Sequence, residues 1–218
     1  MNDRWRSVDA YIVDRLAPSD PALDNALSAN AAAGLPPHDV APNQGKLLHI
    51  LARMINARRI LEIGTLGGYS SIWLARALPE DGTLITLEAD PVHAEVAQLN
   101  IARAGLENVV ELYLGQALET LPKLSSEAPF DLIFIDADKP NNPAYLAWAL
   151  RLSHPGTVIV GDNVVRDGAV IDPGSDDPRV QGVRRFFDMI ADEPRLTATG
   201  LQTVGSKGWD GFVIAIVT

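Results

Sequence analysis

Apolar positions recur along this chain with two different periods, and the period changes near residue 57. Before that point the spacing is helical. Val8, Ile12 and Leu16 fall on one helix face, and Pro18 closes the segment. Pro21 to Ala33 predicts a second helix with Asp20 as its N-cap. Gly34 to Asp39 is a loop, and Pro42 to Asn56 predicts a third helix with Leu47, Leu51, Met54 and Ile55 as its stripe. After that point short apolar runs alternate with helical stretches. Strands are expected at Arg59–Ile63, Thr83–Leu87, Val109–Leu114, Phe130–Ile135 and Thr157–Val160. Helices are expected at Tyr69–Leu78, Pro91–Ala104, Ala117–Leu124, Pro143–Leu152 and Arg179–Ile190. This order implies an α/β fold with a mostly parallel sheet and helices on both faces. Leu196–Val204 and Gly211–Val217 then follow one another with only a loop between them, which requires antiparallel pairing.

Composition narrows the possibilities. At 218 residues the chain suits one domain with its own core. It has no cysteine, which excludes a disulfide scaffold, a thiolate metal site and a cysteine nucleophile, and fits a reducing cytoplasm. Asp and Glu total 28 against 18 Lys and Arg, a net charge of −10 that argues against a nucleic-acid or anionic-membrane partner. The start, Met1 to Ser7, leads into no apolar leader segment, and no apolar run is long enough to span a membrane.

The chemistry-bearing residues sit where strands end. Glu62-Ile63-Gly64-Thr65-Leu66-Gly67-Gly68-Tyr69-Ser70 joins the first strand to a helix. Glycines there admit a ligand close to the backbone, next to the free N–H groups of a helix N-terminus. The same glycines also suit a tight turn without a ligand. Their spacing, G-x-x-G-G, is not the dinucleotide pattern G-x-G-x-x-G. Glu88 ends the second strand, where a carboxylate accepts hydrogen bonds from ribose hydroxyls. Together they favour an adenosine without a pyrophosphate.

Two further strands end in acids: Asp136-Ala137-Asp138-Lys139 after the fourth and Asp162-Asn163 after the fifth. In an open parallel sheet, ligands bind beyond these strand ends. Asp136, Asp162 and Asn163 would offer three oxygens to a hard cation such as Mg2+. Neighbouring strand residues point to opposite faces, so Asp162 and Asn163 can share an ion only if the chain turns there. An Asx turn alone is the competing reading. Lys139 is either a base near such an ion or a surface lysine paired with Asp138.

Taken together, Glu62-Ile63-Gly64-Thr65, Gly68-Tyr69-Ser70, Glu88-Ala89-Asp90, Phe134 to Lys139 and Asp162-Asn163 resemble the cation-dependent O-methyltransferases, bacterial relatives of the catechol and caffeoyl-CoA enzymes. The resemblance runs from Val40 to Val217 and the N-terminal helices fit it. It implies a Rossmann-like class I methyltransferase fold: seven strands, the last two an antiparallel hairpin. It implies a single domain over 1–218, with residues 1–57 as a helical preface to a core at 58–218. It implies S-adenosylmethionine as cofactor, with Glu88 at the ribose, Gly64, Gly68, Tyr69 and Ser70 along the methionine part, and Glu62 helping to anchor the amine. Val40, Ala89, Asp136 and the turn Gly115-Gln116-Ala117 match further cofactor positions. Asp136, Asp162 and Asn163 would hold Mg2+, Mn2+ or Ca2+, with Asp136 and Lys139 catalytic and Lys139 the base. The acceptor implied is a small aromatic vicinal diol and the assembly a homodimer, a surface the N-terminal helices could supply.

This chain departs from the family at Asn142, where many relatives carry tyrosine, and at Asp138, where animal catechol enzymes carry tryptophan. It also departs in the ending Ser206 to Gly211. Asp167 to Pro178 reads as a loop near the acceptor, Trp73 and Trp148 as core, and Trp5 or Trp209 as facing a partner subunit. The four histidines lack metal-ligand spacing. Three other functions compete: an RNA-modifying methyltransferase on the same scaffold, a nicotinamide-dependent oxidoreductase, and a non-catalytic nucleoside-binding module.

Overall fold

The computed structural model describes residues 3–218; of the leader reading, Met1 and Asn2 lie outside the described residues. Three helices come first: α1 (Asp3–Leu16), α2 (Pro21–Ala32) and α3 (Pro42–Met54). Then strands and helices alternate as β1 (Arg59–Ile63), α4 (Tyr69–Ala75), β2 (Thr83–Glu88), α5 (Pro91–Arg103), β3 (Val110–Leu114), α6 (Ala117–Thr120), β4 (Phe130–Ile135), α7 (Asn142–Arg151) and β5 (Ser153–Asp162). The chain ends with α8 (Pro178–Asp192), β6 (Leu196–Gly205) and β7 (Gly208–Val217).

The seven strands form one sheet in the order β3-β2-β1-β4-β5-β7-β6. All pairs are parallel except those of β7, which runs antiparallel to both β5 and β6. The central strands are largely apolar because helices cover both faces. Leu23, Leu48, Ile72, Trp73 and Ile101 from α2–α5 pack with Ile60, Leu84 and Phe134 on one face. Leu146, Val183 and Phe186 from α7 and α8 pack with Leu61, Ile85 and Ile133 on the other. Trp73 is core, as expected.

Several boundaries differ from the expectation. Asn56 takes a left-handed φ of 51°, so α3 ends at Met54. The helix expected at Ala117–Leu124 is a single turn, followed by a 3-10 turn from Leu121 to Ser126, because Pro122 removes a donor. β5 and β7 are longer than predicted, since ladder bonds to neighbours recruit Ser153, His154 and Gly208 to Asp210. The stripe Val8, Ile12, Leu16 does form on α1 but stays in solvent, Leu16 at 69% exposure.

Register is what prepares the site. Ile63 pairs with Leu87 and with Ile135, and Ile135 pairs with Gly161. The residues one step further along, Gly64, Glu88, Asp136 and Asp162, therefore stand in one row. Alternation then puts Glu62, Thr86, Glu88, Asp136 and Asp162 on the face covered by α2–α5.

Candidate active site

A cavity of 690 Å³ opens above this row. One side is the glycine turn. Gly64 has φ of +100°, and a side chain there would run into the backbone of Asp136. Only glycine lets the ends of β1 and β4 approach so closely. Gly68, at φ +82°, caps the N-terminus of α4. Glu88 Oε2 accepts from Thr65 N (3.2 Å) and Leu66 N (2.8 Å), and Oε1 from Ala89 N and Asp90 N, both at 2.9 Å. These four donors fix its orientation and use all its lone-pair directions. Any further donor to Glu88 must displace or share one of them, and the Thr65 bond is the longest of the four.

Of the cofactor residues expected from sequence, Val40, Gly64, Tyr69, Ser70, Glu88, Ala89, Gly115, Gln116, Ala117 and Asp136 all line the cavity. Gly68 and Glu62 do not. Glu62 is fully buried behind Ser70. Its Oε1 accepts Ser70 Oγ at 2.6 Å, and its Oε2 accepts Thr86 Oγ1 at 2.6 Å and the Ser71 hydroxyl. Burial drives its pKa up to about 7 against the pull of those hydroxyls. It reaches the cavity through Ser70, not directly.

The second side carries the acids. Asp136, Lys139, Asp162 and Asn163 all line it. β5 ends at Asp162 and Asn163 takes a left-handed φ of 53°, so the chain turns where a shared ion requires it to. An Asx contact is present as well, Asn163 N donating to Asp162 Oδ1 at 2.8 Å. Asp210 Oδ1 holds the turn by accepting Val165 N and Arg166 N. Asp162 is only 4% exposed. Its burial and the nearby Asp136 carboxylate push its pKa to about 7, while Lys139 pulls it down. Lys139 is 7% exposed, and its Nζ donates to Asp136 Oδ1 at 2.8 Å. It is thus neither a surface lysine nor paired with Asp138. Asp138 instead accepts from Asn141 Nδ2 at 2.7 Å and from the Tyr145 hydroxyl, whose pKa is raised by burial and by Asp138.

Among the described residues no group of three His, Asp or Glu side chains converges on one point. The candidate metal set is two carboxylates and an amide. Its chemistry fits a hard divalent cation: all ligands are oxygens, Asp162 is buried near the Asp136 carboxylate, and Asp136 holds the Lys139 ammonium.

Other lining residues had no strong sequence signal. Gln44 sits beside Asp162, Arg166, Lys207 and Asp39 reach the cavity from distant loops, and Arg179 reaches it from the first turn of α8. Asp39 was adjacent to a flagged position, Val40; the others are single polar residues in loops or first turns. Of the loop expected near the acceptor, no residue from 167 to 178 lines the cavity, although Arg166 before it and Arg179 after it do; a 3-10 turn at Ala169–Ile171 lies between them. Trp209 lies against Gly168, with its Nε1 on Gln202 Oε1 at 3.0 Å. The basic lining residues are interspersed with Asp39, Glu88, Asp136, Asp138 and Asp162, so no basic stripe for RNA forms.

Residues 17–214 match the O-methyltransferase family. The chain is 55% identical over 218 residues to a catechol O-methyltransferase of Niastella koreensis, covering 99% of each chain. It superposes on an O-methyltransferase from Bacillus cereus in complex with SAH with a TM-score of 0.98, at 59% identity and with 100% of each chain covered. The O-methyltransferase TomG of Streptomyces achromogenes, solved in complex with SAM, gives a TM-score of 0.97 at 55% identity, covering 99% of this chain and 98% of that one.

Proposed function

Because this chain belongs to the O-methyltransferase family and is S-adenosylmethionine-dependent like its relatives, we propose that it methylates one hydroxyl of a small aromatic vicinal diol held by a divalent cation. The observation that carries the reading is the pairing of Asp136 and Asp162 at neighbouring strand ends with Lys139 bonded to one of them. Asp136, Asp162 and Asn163 would hold the cation. When bound, Mg2+ or a similar ion would lower the pKa of an acceptor hydroxyl and fix both vicinal oxygens.

The chain's own residues do the rest. Lys139, as the neutral amine, would receive the proton from the reacting hydroxyl and become the ammonium that Asp136 then holds. Glu88 orients the ribose, and Ser70, steadied by buried Glu62, borders the methionine part with Val40 and Tyr69. Gly115, Gln116 and Ala117 frame the adenine. S-adenosylmethionine, when bound, would supply the methyl group as a sulfonium, and these residues would align the acceptor oxygen with it, an alignment that supplies much of the acceleration. Tyr145, Leu87 and Val40 give the lining apolar surface, and a cofactor and acceptor that filled the cavity would displace water, which favours a reaction that neutralises opposite charges.

We also propose a homodimer, supported by the solvent-facing Val8, Tyr11, Ile12 and Leu16 of α1. A cytoplasmic setting is supported by the absence of cysteine. No helix among the described residues is long and apolar enough to cross a membrane.

The test is methyl transfer to catechol with Mg2+ and with excess EDTA. Activity that disappears on chelation and returns with Mg2+ is expected; full activity in EDTA would sink the metal role.

A further inference from the structure

Two charged groups on the cavity rim have no part in the function above. Asp39 lies in the loop between α2 and α3, half-buried beside Val40. Its Oδ1 accepts Asn30 Nδ2 at 2.7 Å. Asn30 Oδ1 accepts Asn100 Nδ2 at 3.0 Å, and that same amide donates to Gly67 O at 2.9 Å. Asp39 is thus tied through two amides to the glycine turn that faces the cofactor. Burial raises its pKa, opposed by the Asn30 bond and by the charge of Lys207.

Lys207 arrives from the far end of the chain, at the tip of the β6–β7 hairpin. Its Nζ donates to Pro37 O at 3.2 Å, which leaves two ammonium protons for another acceptor. The tip is seated by Asp9 of α1, whose Oδ2 accepts Ser206 N at 2.7 Å and whose Oδ1 accepts Asn43 Nδ2 at 2.9 Å. Gly205 packs against Asp9 with no room for a side chain. Both charges are therefore held by their surroundings, and both have hydrogen-bonding capacity left facing one cavity.

The family's cofactor carries an ammonium and a carboxylate on the same α-carbon of its methionine part. We propose that Asp39 and Lys207 form a clamp for that zwitterion, Asp39 accepting from the α-ammonium and Lys207 donating to the α-carboxylate. Charge-assisted hydrogen bonds of this kind are among the stronger ones a cavity wall offers. The proposal rests on the family's cofactor and on neither the metal nor the acceptor. It also gives the departing segment Ser206 to Gly211 a role: it supplies one half of the clamp.

Two titrated ligands separate this clamp from a loop latch: S-adenosylhomocysteine, and 5′-methylthioadenosine, which has the same nucleoside thioether without the amino-acid part. Calorimetry on the full-length protein is expected to show Asp39→Asn weakening S-adenosylhomocysteine about tenfold to a hundredfold, with methylthioadenosine within about twofold of wild type. The amide keeps an oxygen for Asn30, so the latch survives. Lys207→Met, at an exposed hairpin tip, is expected to weaken the homocysteine form about fivefold to twentyfold and methylthioadenosine not at all. Equal losses for both ligands would make the two residues structural and overturn the clamp. Unchanged S-adenosylhomocysteine binding in both variants would also overturn it.

Discussion

The two ends of the parallel sheet solve the same electrostatic problem in opposite ways. At the amino ends, Asp131 on β4 accepts Arg58 N at 2.8 Å and Arg59 N at 2.9 Å on one oxygen, and meets His154 Nε2 at 3.0 Å on the other. Burial lifts its pKa, but the two backbone donors and His154 outweigh this and leave it below the ordinary carboxylate range. Thr157 closes the corner by donating to Phe130 O at 2.7 Å. At the carboxyl ends, Asp162 lies near Asp136, Lys139 donates to Asp136, and Glu62 is buried with three hydroxyls as its hydrogen-bond donors. One end is internally neutralised and stabilising. The other gathers acids in excess of the one lysine bonded to them, which is the charge the proposed cation would compensate.

The comparison breaks most readily at Lys139. Lys139→Ala is expected to cut methyl transfer to catechol by about a hundredfold to ten-thousandfold while the protein stays folded by circular dichroism. Near-wild-type turnover would remove Lys139 from the proton path.

Next in size is the pH dependence of stability. The folded pKa of Glu62 is raised from 4.5 to about 7, so the native state binds this proton more tightly than the unfolded chain does. Stability from this group is full below pH 4.5, falls as pH rises toward 7, and is flat above, a loss of about 3 kcal/mol. Glu62→Gln should flatten that part of a denaturation-versus-pH curve. An unchanged slope between pH 5 and 7 would show that the burial cost lies elsewhere.

The sharpest contrast comes from paired substitutions at the two ends. Asp131→Ala strands two backbone donors and should cost about 1–3 kcal/mol. Asp162→Asn relieves like-charge repulsion and should raise the stability of the metal-free protein at pH 8 by about 1–2 kcal/mol while abolishing catechol methylation. Urea titration of both variants decides it; the same sign for both would erase the distinction drawn above.

The smallest effect is expected at His154. Its pKa is raised chiefly by Asp131, so its contribution is full below pH 6.5 and fades as pH rises through the raised value. The ring is 37% exposed, and solvent screening limits the gain to about 0.5 kcal/mol, visible as the difference between wild type and His154→Gln at pH 5.5 and 8.5.

Much of this molecule was readable before any coordinates. Strand runs such as Leu132–Ile135 are apolar at every position because both faces are covered, and local composition reports that directly. Acids immediately after such runs stand at strand ends whatever the packing. Glu62 was harder, because an acid within an apolar strand does not say whether it faces a ligand or three hydroxyls from α4 and β2. Boundaries at Pro122, Asn56 and Ser153 moved by a turn or less, where backbone geometry or a neighbour's ladder outweighed periodicity.

The amino-acid order by itself determined the element sequence, the antiparallel closure and the set of strand-end acids, because those follow from periodicity and chain connectivity. Only the tertiary structure decided which of those acids meet. That depends on register: Ile63, Leu87, Ile135 and Gly161 align through hydrogen bonds between strands far apart in sequence. It also decided that Lys207, 168 positions after Asp39, shares a rim with it. Contacts between distant segments are set by how the faces of the sheet and helices pack, and no local pattern carries that information.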